Sequence, residues 1–487
     1  MNEISIVSMR KLLILATSAL AITSLEAQVS KPNIIVFVAD DSGKDYGCYG
    51  NKYIKTPNID KLASQGVRFE KAFVSCPQCS PSRISMMTGM FAHTLGVEDL
   101  HDPIDQNTKM IPSYLKPNGY YTGCMLKTHW GDFGTKQFDF SYAGMEIYSE
   151  PFMTAQNPFF KKYQDFLNTS ANNPFFLWVG FIDPHRPYKD PRTKKVHSPD
   201  SVRLYPSWVD APETRQDVAD YYDEIHRLDQ HVGFMLQELE KRGKLDNTVI
   251  IFLSDNGLPF VKGKAFLYDT GIESPLIVSC RGMAKQGAVH NNGMVSFIDI
   301  APTILDIAGV SKPNEMYGES LKPLILDPTK KGREVIYAER NWHDTEEYAR
   351  CIRTSKYKLI YNAYPYKLAA ITGDMQKSGT WWDLMTAKRE GKLNKEQQFM
   401  FTFPRPVIEL YDIEKDPLEF NNLADRGENV ELVKELFGKL KKWQKDTKDT
   451  SWASREREDM IDRVTGMTIS NMPFNPHSVS DQEKDKK

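Results

Sequence analysis

The stretch "PNIIVFVADD", Pro32 to Asp41, is an unbroken apolar run from Ile34 to Ala39 that stops at two acids. A strand with one face in water alternates apolar and polar residues. This one does not, so it asks for cover on both faces. The pattern of buried strand followed by polar punctuation recurs in "PFFLWVGFIDPH", Pro174 to His185, and in "NTVIIFLSDN", Asn247 to Asn256. Helical stretches lie between these runs. Strands alternating with helices predict an α/β fold with ligands at the carboxyl ends of the strands.

Two helices can be read directly. "TPNIDKLASQG" offers Thr56 as N-cap, Pro57 in the first turn and Gly66 as the stop. A longer one carries Val218, Tyr221, Tyr222, Ile225, Leu228, Val232, Met235, Leu236 and Leu239 on one stripe and ends at Gly243. Beyond "GESLKPLILDPTKKGR" the texture changes to shorter strands, "EVIYAER", "ARCIRTSKYKLIYN" and "VIELYDIEKDPLE". One helix follows, with Val433, Leu436, Phe437, Leu440 and Trp443 on a face. The expected division is a catalytic domain over 31–332, a smaller α+β domain with an antiparallel sheet over 333–455, and a polar tail over 456–487.

A chain of 487 residues exceeds one compact core. Its net charge of -2 gives no field that would recruit nucleic acid or an acidic membrane surface. "MRKLLILATSALAITSLEA" sets Arg10 and Lys11 before an apolar run from Leu12 to Ile22, with small residues up to Ala27. This predicts a signal peptide over 1–27, with Met1 or Met9 as the start, and an exported protein, periplasmic in a bacterium or secreted. No later stretch approaches the length of a membrane span. Six cysteines, at 48, 76, 79, 124, 280 and 351, are too few for a disulfide-built scaffold.

The acids and amide at the strand ends, Asp40, Asp41, Asp255 and Asn256, are oxygen donors at the edge where ligands bind, and suit a hard divalent cation, calcium before magnesium. Acids after strands also cap helices or solvate loops; it is the two pairs together that predict a site. "SCPQCSPSRISMMTG", Ser75 to Gly89, spaces Cys76 and Cys79 like a zinc or redox pair. No second cysteine pair exists to complete a zinc site. Pro81 suits a first helical turn, which sets Cys79 at a helix N-terminus and Arg83 one turn in, an arrangement that favours an anion.

At these residues the sequence resembles the type I sulfatases. Their signature, C-x-P-S-R-x-x-x-x-T-G, stands here as Cys79, Pro81, Ser82, Arg83, Thr88 and Gly89. "NIIVFVADD", "LKTHWG", "DPHRPY" and "SDNG" are similar to the family's flanking motifs, and the likeness spans about 31 to 450. It implies an alkaline-phosphatase-like sandwich with a large mixed, mostly parallel central sheet. It also implies that Cys79 is oxidised to Cα-formylglycine by a formylglycine-generating or maturase enzyme, leaving Cys76 incidental. Asp40, Asp41, Asp255, Asn256 and converted Cys79 would hold calcium. Arg83 would orient the aldehyde hydrate, Lys127 and His129 would contact sulfate and hydrate, and His185 with Lys264 would bind sulfate and protonate the leaving atom. The implied mechanism is covalent: one hydrate hydroxyl attacks sulfur, His129 deprotonates the other, and sulfate leaves as the aldehyde reforms.

Within the family the chain looks most like the heparan N-sulfatase branch, on "GFIDPHRP", "SDNGLPFVKGKAFLY", "APTILDIAGV" and "ELYDIEKDPLEFNNLA". Asp183 and Arg186 flank His185 as they do there, whereas Lys264 stands where that branch has arginine. Trp342, His343, Asp344 and Arg350, in "ERNWHDTEEYAR", would wall the pocket and read the sugar; packing at the domain boundary is the competing role for Trp342. The substrate implied is a sulfated carbohydrate, cleaved exo-fashion at O- or N-sulfate. A phosphoesterase or phosphonate hydrolase on the same scaffold, and a non-catalytic glycan binder if Cys79 stays a thiol, remain the other readings.

Overall fold

The computed structural model describes residues 31–450 except 101, 150–153, 189–192 and 370. The expected signal peptide, 1–27, and polar tail, 456–487, lie outside the described residues.

Fourteen strands are described: β1 (Asn33–Ala39), β2 (Gly66–Phe69), β3 (Ala72–Phe73), β4 (Tyr121–Leu126), β5 (Phe140–Tyr142), β6 (Phe175–Gly180), β7 (Thr248–Ser254), β8 (Leu276–Ser279), β9 (Ala288–His290), β10 (Val295–Ser296), β11 (Val335–His343), β12 (Thr345–Thr354), β13 (Tyr357–Asn362) and β14 (Ile408–Asp412). Eight of them form one sheet in the order β5-β4-β6-β1-β7-β8-β2-β9. The five from β5 to β7 run parallel, and β8 is antiparallel to both its neighbours. The large mixed, mostly parallel sheet expected from the sequence is present.

The unbroken apolar runs do what their lack of alternation requires. Ile34, Val36 and Val38 of β1 enter one core layer, and Ile35, Phe37 and Ala39 enter the layer on the opposite face, all fully buried. Strand β7 divides likewise, Val249, Ile251 and Leu253 against Ile250 and Phe252. Each such Val, Ile, Leu or Phe contributes about 1.5–3 kcal/mol on leaving water, so a polar substitution on either face of β1 is destabilising.

The stripe read from the sequence forms a helix, Pro212–Lys241, that buries Val218, Tyr221, Ile225, Leu228, Val232 and Leu239 on one face of the large sheet. The helices Cys79–Thr88 and Ile300–Ile307 lie against the other face. Gly66 departs from expectation. The Pro57–Ser64 helix ends at Gln65, and Gly66 instead opens β2. A Cβ at Gly66 would stand 2.3 Å from the carbonyl oxygen of Val278, so glycine is there for strand approach and not as a helix stop.

A separate antiparallel sheet follows in the order β11-β12-β13-β14. The Val430–Asp446 helix covers it, packing Leu436, Leu440 and Trp443 with Ile352, Leu359 and Leu410. Between β13 and β14 the chain carries three α-helices that the sequence patterning does not announce, Gly373–Gln376, Gly379–Arg389 and Lys395–Gln398. Ile371, Met375, Trp381 and Leu384 from this segment join the core layer of Tyr221 and Leu228. The segment is thereby fixed beside the carboxyl ends of the large sheet's strands. Among the described residues, no helix is long and apolar enough to cross a membrane.

Candidate active site

Strand register assembles the site. Ala39 of β1 pairs with Ser254 of β7, so Asp40 and Asp255 emerge side by side. Val38 pairs with Gly180 of β6 and Gly180 with Leu126 of β4, so the segments carrying His185 and Lys127 leave the sheet at the same level. Gly180 is required by this convergence: a Cβ there would lie 1.9 Å from the Lys127 carbonyl oxygen and 2.6 Å from the Arg83 guanidinium. Asp41 and His129 hold left-handed backbone, φ 69° and 61°, a conformation uncommon outside glycine that collects at functional sites.

The Cys79–Thr88 helix begins at Cys79, whose Sγ lies 3.5 Å from Asp40 Oδ1 and 3.9 Å from Asp41 Oδ1. Arg83, one turn in and fully buried, donates from Nε to Asp255 Oδ2 at 2.8 Å and from Nη1 to the Lys127 carbonyl at 2.8 Å. Lys127 Nζ pairs with Asp40 Oδ2. Lys264 Nζ lies 2.7 Å from Asp41 Oδ2 and 3.4 Å from Asp374 Oδ2. His185 Nε2 is 3.8 Å from each of those two oxygens, and its Nδ1 bonds the Arg186 carbonyl at 2.6 Å. Ser80 Oγ donates to the His129 carbonyl at 2.7 Å.

The electrostatics are crowded. Burial works to raise Asp40, but Lys127, His185 and Arg83 hold it well below the usual carboxylate range. Asp255 is pushed up to about 7, first by burial and then by the charges of Asp40 and Asp41 against the pull of Arg83. Burial drives the Cys79 thiol well above its ordinary value, and the nearby lysines do not offset it. An unmodified Cys79 is therefore a protonated thiol and a poor nucleophile.

Asp40, Asp41 and Cys79 present ligand atoms within 4.8 Å of one another. The donor set fits a hard cation. Asn256 Nδ2 donates to Asp41 Oδ1 at 2.8 Å, while its buried Oδ1 has no hydrogen-bond partner. That orphaned acceptor and the clustered acids are oxygen donors of the kind calcium takes. A second group, Asp41, His185 and Asp374, has the same compactness. There the Lys264 ammonium already stands between the two carboxylates, supplying the positive charge a second metal would bring.

A cavity of about 590 Å³ opens over these groups, lined by Cys79, Lys127, His129, His185, Lys264, His343, Asp344 and Asp374 among others, a size suited to a small ligand. His343 and Asp344 thus reach the cavity, from the tip of the β11–β12 hairpin. Three residues expected to read the sugar do not. Asp183, 2 % exposed, is held by Arg227 at 2.7 and 2.9 Å. Arg186 is clamped by Asp217 and stacks over Tyr188, so this pair fixes the loop that presents His185. Arg350 is fully buried against Asp449, with Nε to Oδ2 at 2.7 Å. Trp342 is buried, 3 % exposed. Cys76 is also buried, its Sγ against Gln78 Oε1 at 3.2 Å, outside both ligand groups. Among the described residues all six cysteines are free thiols. Asp374 is the site residue that the sequence reading missed: it sits in "ITGDMQKSG", where no strand or helix periodicity marks it.

Residues 32–310 match the family model described as Sulfatase, and residues 261–378 match one described as N-sulphoglucosamine sulphohydrolase, C-terminal. The chain is 32% identical over 459 residues to human N-sulphoglucosamine sulphohydrolase, covering 86% of this chain and 90% of that protein. It is 27% identical over 468 residues to an ulvan-active sulfatase of Formosa agariphila, covering 85% of this chain and 74% of the relative. Among solved structures, BT4656 in complex with its substrate D-glucosamine-2-N,6-O-disulfate shares the fold with a TM-score of 0.65 at 23% identity, over 88% of this chain and 100% of that one.

Proposed function

Because the chain belongs to the sulfatase family, we propose that it hydrolyses sulfate from a sulfated glycan or its oligosaccharides, exo-fashion, with N-sulfated glucosamine as the leading substrate. Residue 79 is the nucleophile after a formylglycine-generating or maturase enzyme has converted Cys79. Asp40, Asp41, Asp255, Asn256 and converted residue 79 would hold calcium. The reading includes export to a bacterial periplasm or beyond the cell.

The observation that carries the reading is the position of Cys79. It starts a helix, lies 3.5 and 3.9 Å from two buried carboxylates, and shares a cavity with two lysines and three histidines. Calcium bound there would supply a Lewis acid for a sulfate oxygen, and converted residue 79 would supply the hydroxyl nucleophile.

The chain's own residues do the rest. Lys127 and Lys264 are fixed ammoniums that neutralise sulfate oxygens without reorganising. Arg83, held by Asp255 and the Lys127 carbonyl, keeps the helix start and residue 79 aimed at the cavity. His185, with Nδ1 engaged by the Arg186 carbonyl, presents Nε2 to the departing oxygen or nitrogen and delivers a proton there. His129, displayed from a left-handed turn, accepts the proton that residue 79 gives up. The same-scaffold phosphoesterase reading is disfavoured by Lys264, which stands where a two-metal site would need its second cation.

The test is inorganic sulfate release, measured by ion chromatography, from glucosamine 2-N-sulfate and glucosamine 6-O-sulfate, beside phosphate release from 4-nitrophenyl phosphate. Sulfate released faster than phosphate supports the reading. Phosphate released faster, or a requirement for zinc, contradicts it.

A further inference from the structure

A second cavity, of about 240 Å³, opens between the loop after β7 and the antiparallel sheet, and it shares no lining residue with the one over Cys79. Lys262 turns into it, while Lys264, two residues on, turns to Asp41. Three largely buried cations line it, Lys262, Arg340 and Arg405, against two carboxylates, Glu409 and Glu419. Both carboxylates are engaged by other groups. Glu409 accepts from Asn362 Nδ2 at 2.7 Å and from the Tyr268 and Tyr411 hydroxyls at 2.9 and 2.5 Å. Glu419 accepts from the Asp269 amide at 2.6 Å and pairs with Lys358 at 2.7 Å. The cations are left with less. Lys262 Nζ donates to the Glu419 carbonyl at 2.8 Å and lies over the Tyr268 ring, 3.2 Å from its centroid. Arg340 and Arg405 share Glu347, at 3.9 and 2.8 Å. Burial accordingly brings Lys262 down to about 8 and Arg340 to about 10, against the opposing pull of Glu419 and Glu347.

We propose that this cavity is a second binding site, for a single sugar unit that carries one anionic group, a carboxylate or a sulfate. Its volume is that of about eight waters, more than a bare inorganic anion fills and enough for a pyranose. The half-buried rings of Phe399 and Phe420 give the sugar an apolar wall, and the exposed Thr402 stands at the mouth with a hydroxyl. An anion lodged against Lys262 and the guanidiniums supplies the charge that the lining lacks, through charge-assisted hydrogen bonds made away from water. A neutral sugar leaves the three cations as they were, so the site selects on charge. The inference goes beyond sulfate hydrolysis, and no step at residue 79 depends on it.

The experiment is calorimetric titration of the full chain with D-glucuronate, glucosamine 6-O-sulfate, glucose and inorganic sulfate. The sulfated sugar is titrated into Cys79→Ala, which cannot turn it over. Each titration is repeated with Lys262→Met, which removes the charge and keeps a long side chain on the Tyr268 ring, and with Thr402→Trp, which narrows the mouth and leaves every charge in place. An anionic sugar should bind about tenfold or more tighter than glucose, the worth of one charge-assisted hydrogen bond, and both variants should weaken it by about that factor. The tighter of the two anionic sugars names the anion. If Lys262→Met fails to fold, Thr402→Trp decides. The site is overturned if neither anionic sugar binds, if glucose or inorganic sulfate binds as tightly as they do, or if their affinity is unmoved in either folded variant. Each of those results leaves sulfate hydrolysis at residue 79 standing.

Discussion

Lys264 Nζ lies 2.7 Å from Asp41 Oδ2, and neither side chain is more than 1 % exposed. The pair joins the proposed sulfate-binding ammonium to a proposed calcium ligand, so removing either charge strands the other in the interior. Lys264→Ala should lower kcat/KM about 100- to 1000-fold, the cost of losing one preorganised charge at a reacting centre. It should also destabilise by about 3–5 kcal/mol, the cost of breaking a buried pair. Lys264→Arg keeps the charge and should retain most activity. Steady-state kinetics and urea unfolding of both variants check this; equal losses in the two would show that charge is not what the position supplies.

Replacement of Cys79 separates chemistry from packing. Cys79→Ala removes one buried sulfur and should change stability by about 1 kcal/mol, yet turnover should vanish. Cys79→Ser should also be inactive over many cycles, since a serine lacks the second hydroxyl needed to expel sulfate. Thermal unfolding beside sulfate release measures both; residual multiple turnover in Cys79→Ala contradicts a residue 79 nucleophile.

Calcium should be visible without any substrate. Ligand at about 100 times its Kd stabilises the folded state by about 2.7 kcal/mol, so calcium should raise Tm and EDTA should reverse the rise. In Asp40→Asn/Asp255→Asn the calcium-dependent shift should disappear. A Tm indifferent to calcium in the wild type counts against the assignment of Asp40, Asp41, Asp255 and Asn256.

Arg350 and Asp449 give a pH prediction remote from the cavity. Burial raises Asp449, but the Arg350 guanidinium outweighs it and brings the carboxyl down to about 2. A depressed folded-state value contributes stability that is complete above the unfolded value, about 4, and is lost as pH falls through about 2. The contribution is about 2 kcal/mol. Urea midpoints of the wild type and Asp449→Asn should therefore differ fully at pH 6 and converge as pH falls from 4 towards 2. A gap that stays constant across that range contradicts the ion pair's role.

Much of the site was legible because chemistry and pattern coincide in it. Asp40, Asp41, Asp255 and Asn256 follow runs whose unbroken apolarity marks them as central strands, and the register of β1 with β6 and β7 carries them together. Cys79 and Arg83 belong to a signature with a proline that sets the helix start. The failures have a common cause. Asp183, Arg186 and Arg350 are charged residues near a motif, and sequence does not reveal whether a charge faces substrate or a buried partner; here Arg227, Asp217 and Asp449 take them. Asp374 escaped for the opposite reason. Its segment is placed by Ile371, Met375 and Trp381 packing on the large sheet's core, a long-range fact with no local period. Gly66 misled because glycine ends helices and also admits close strands, and only Val278 across the pair distinguishes the two.

The proposed chemistry depends on residue 79 being a converted nucleophile. Mass spectrometry of the tryptic peptide Ala72–Arg83, "AFVSCPQCSPSR", from protein made in its native host tests it most directly. Residue 79 should have lost its sulfur and carry an aldehyde, trapped by hydrazide reagents, while Cys76 remains an alkylatable thiol. Two unmodified thiols in that peptide, from protein that still releases sulfate from glucosamine 2-N-sulfate, would contradict it.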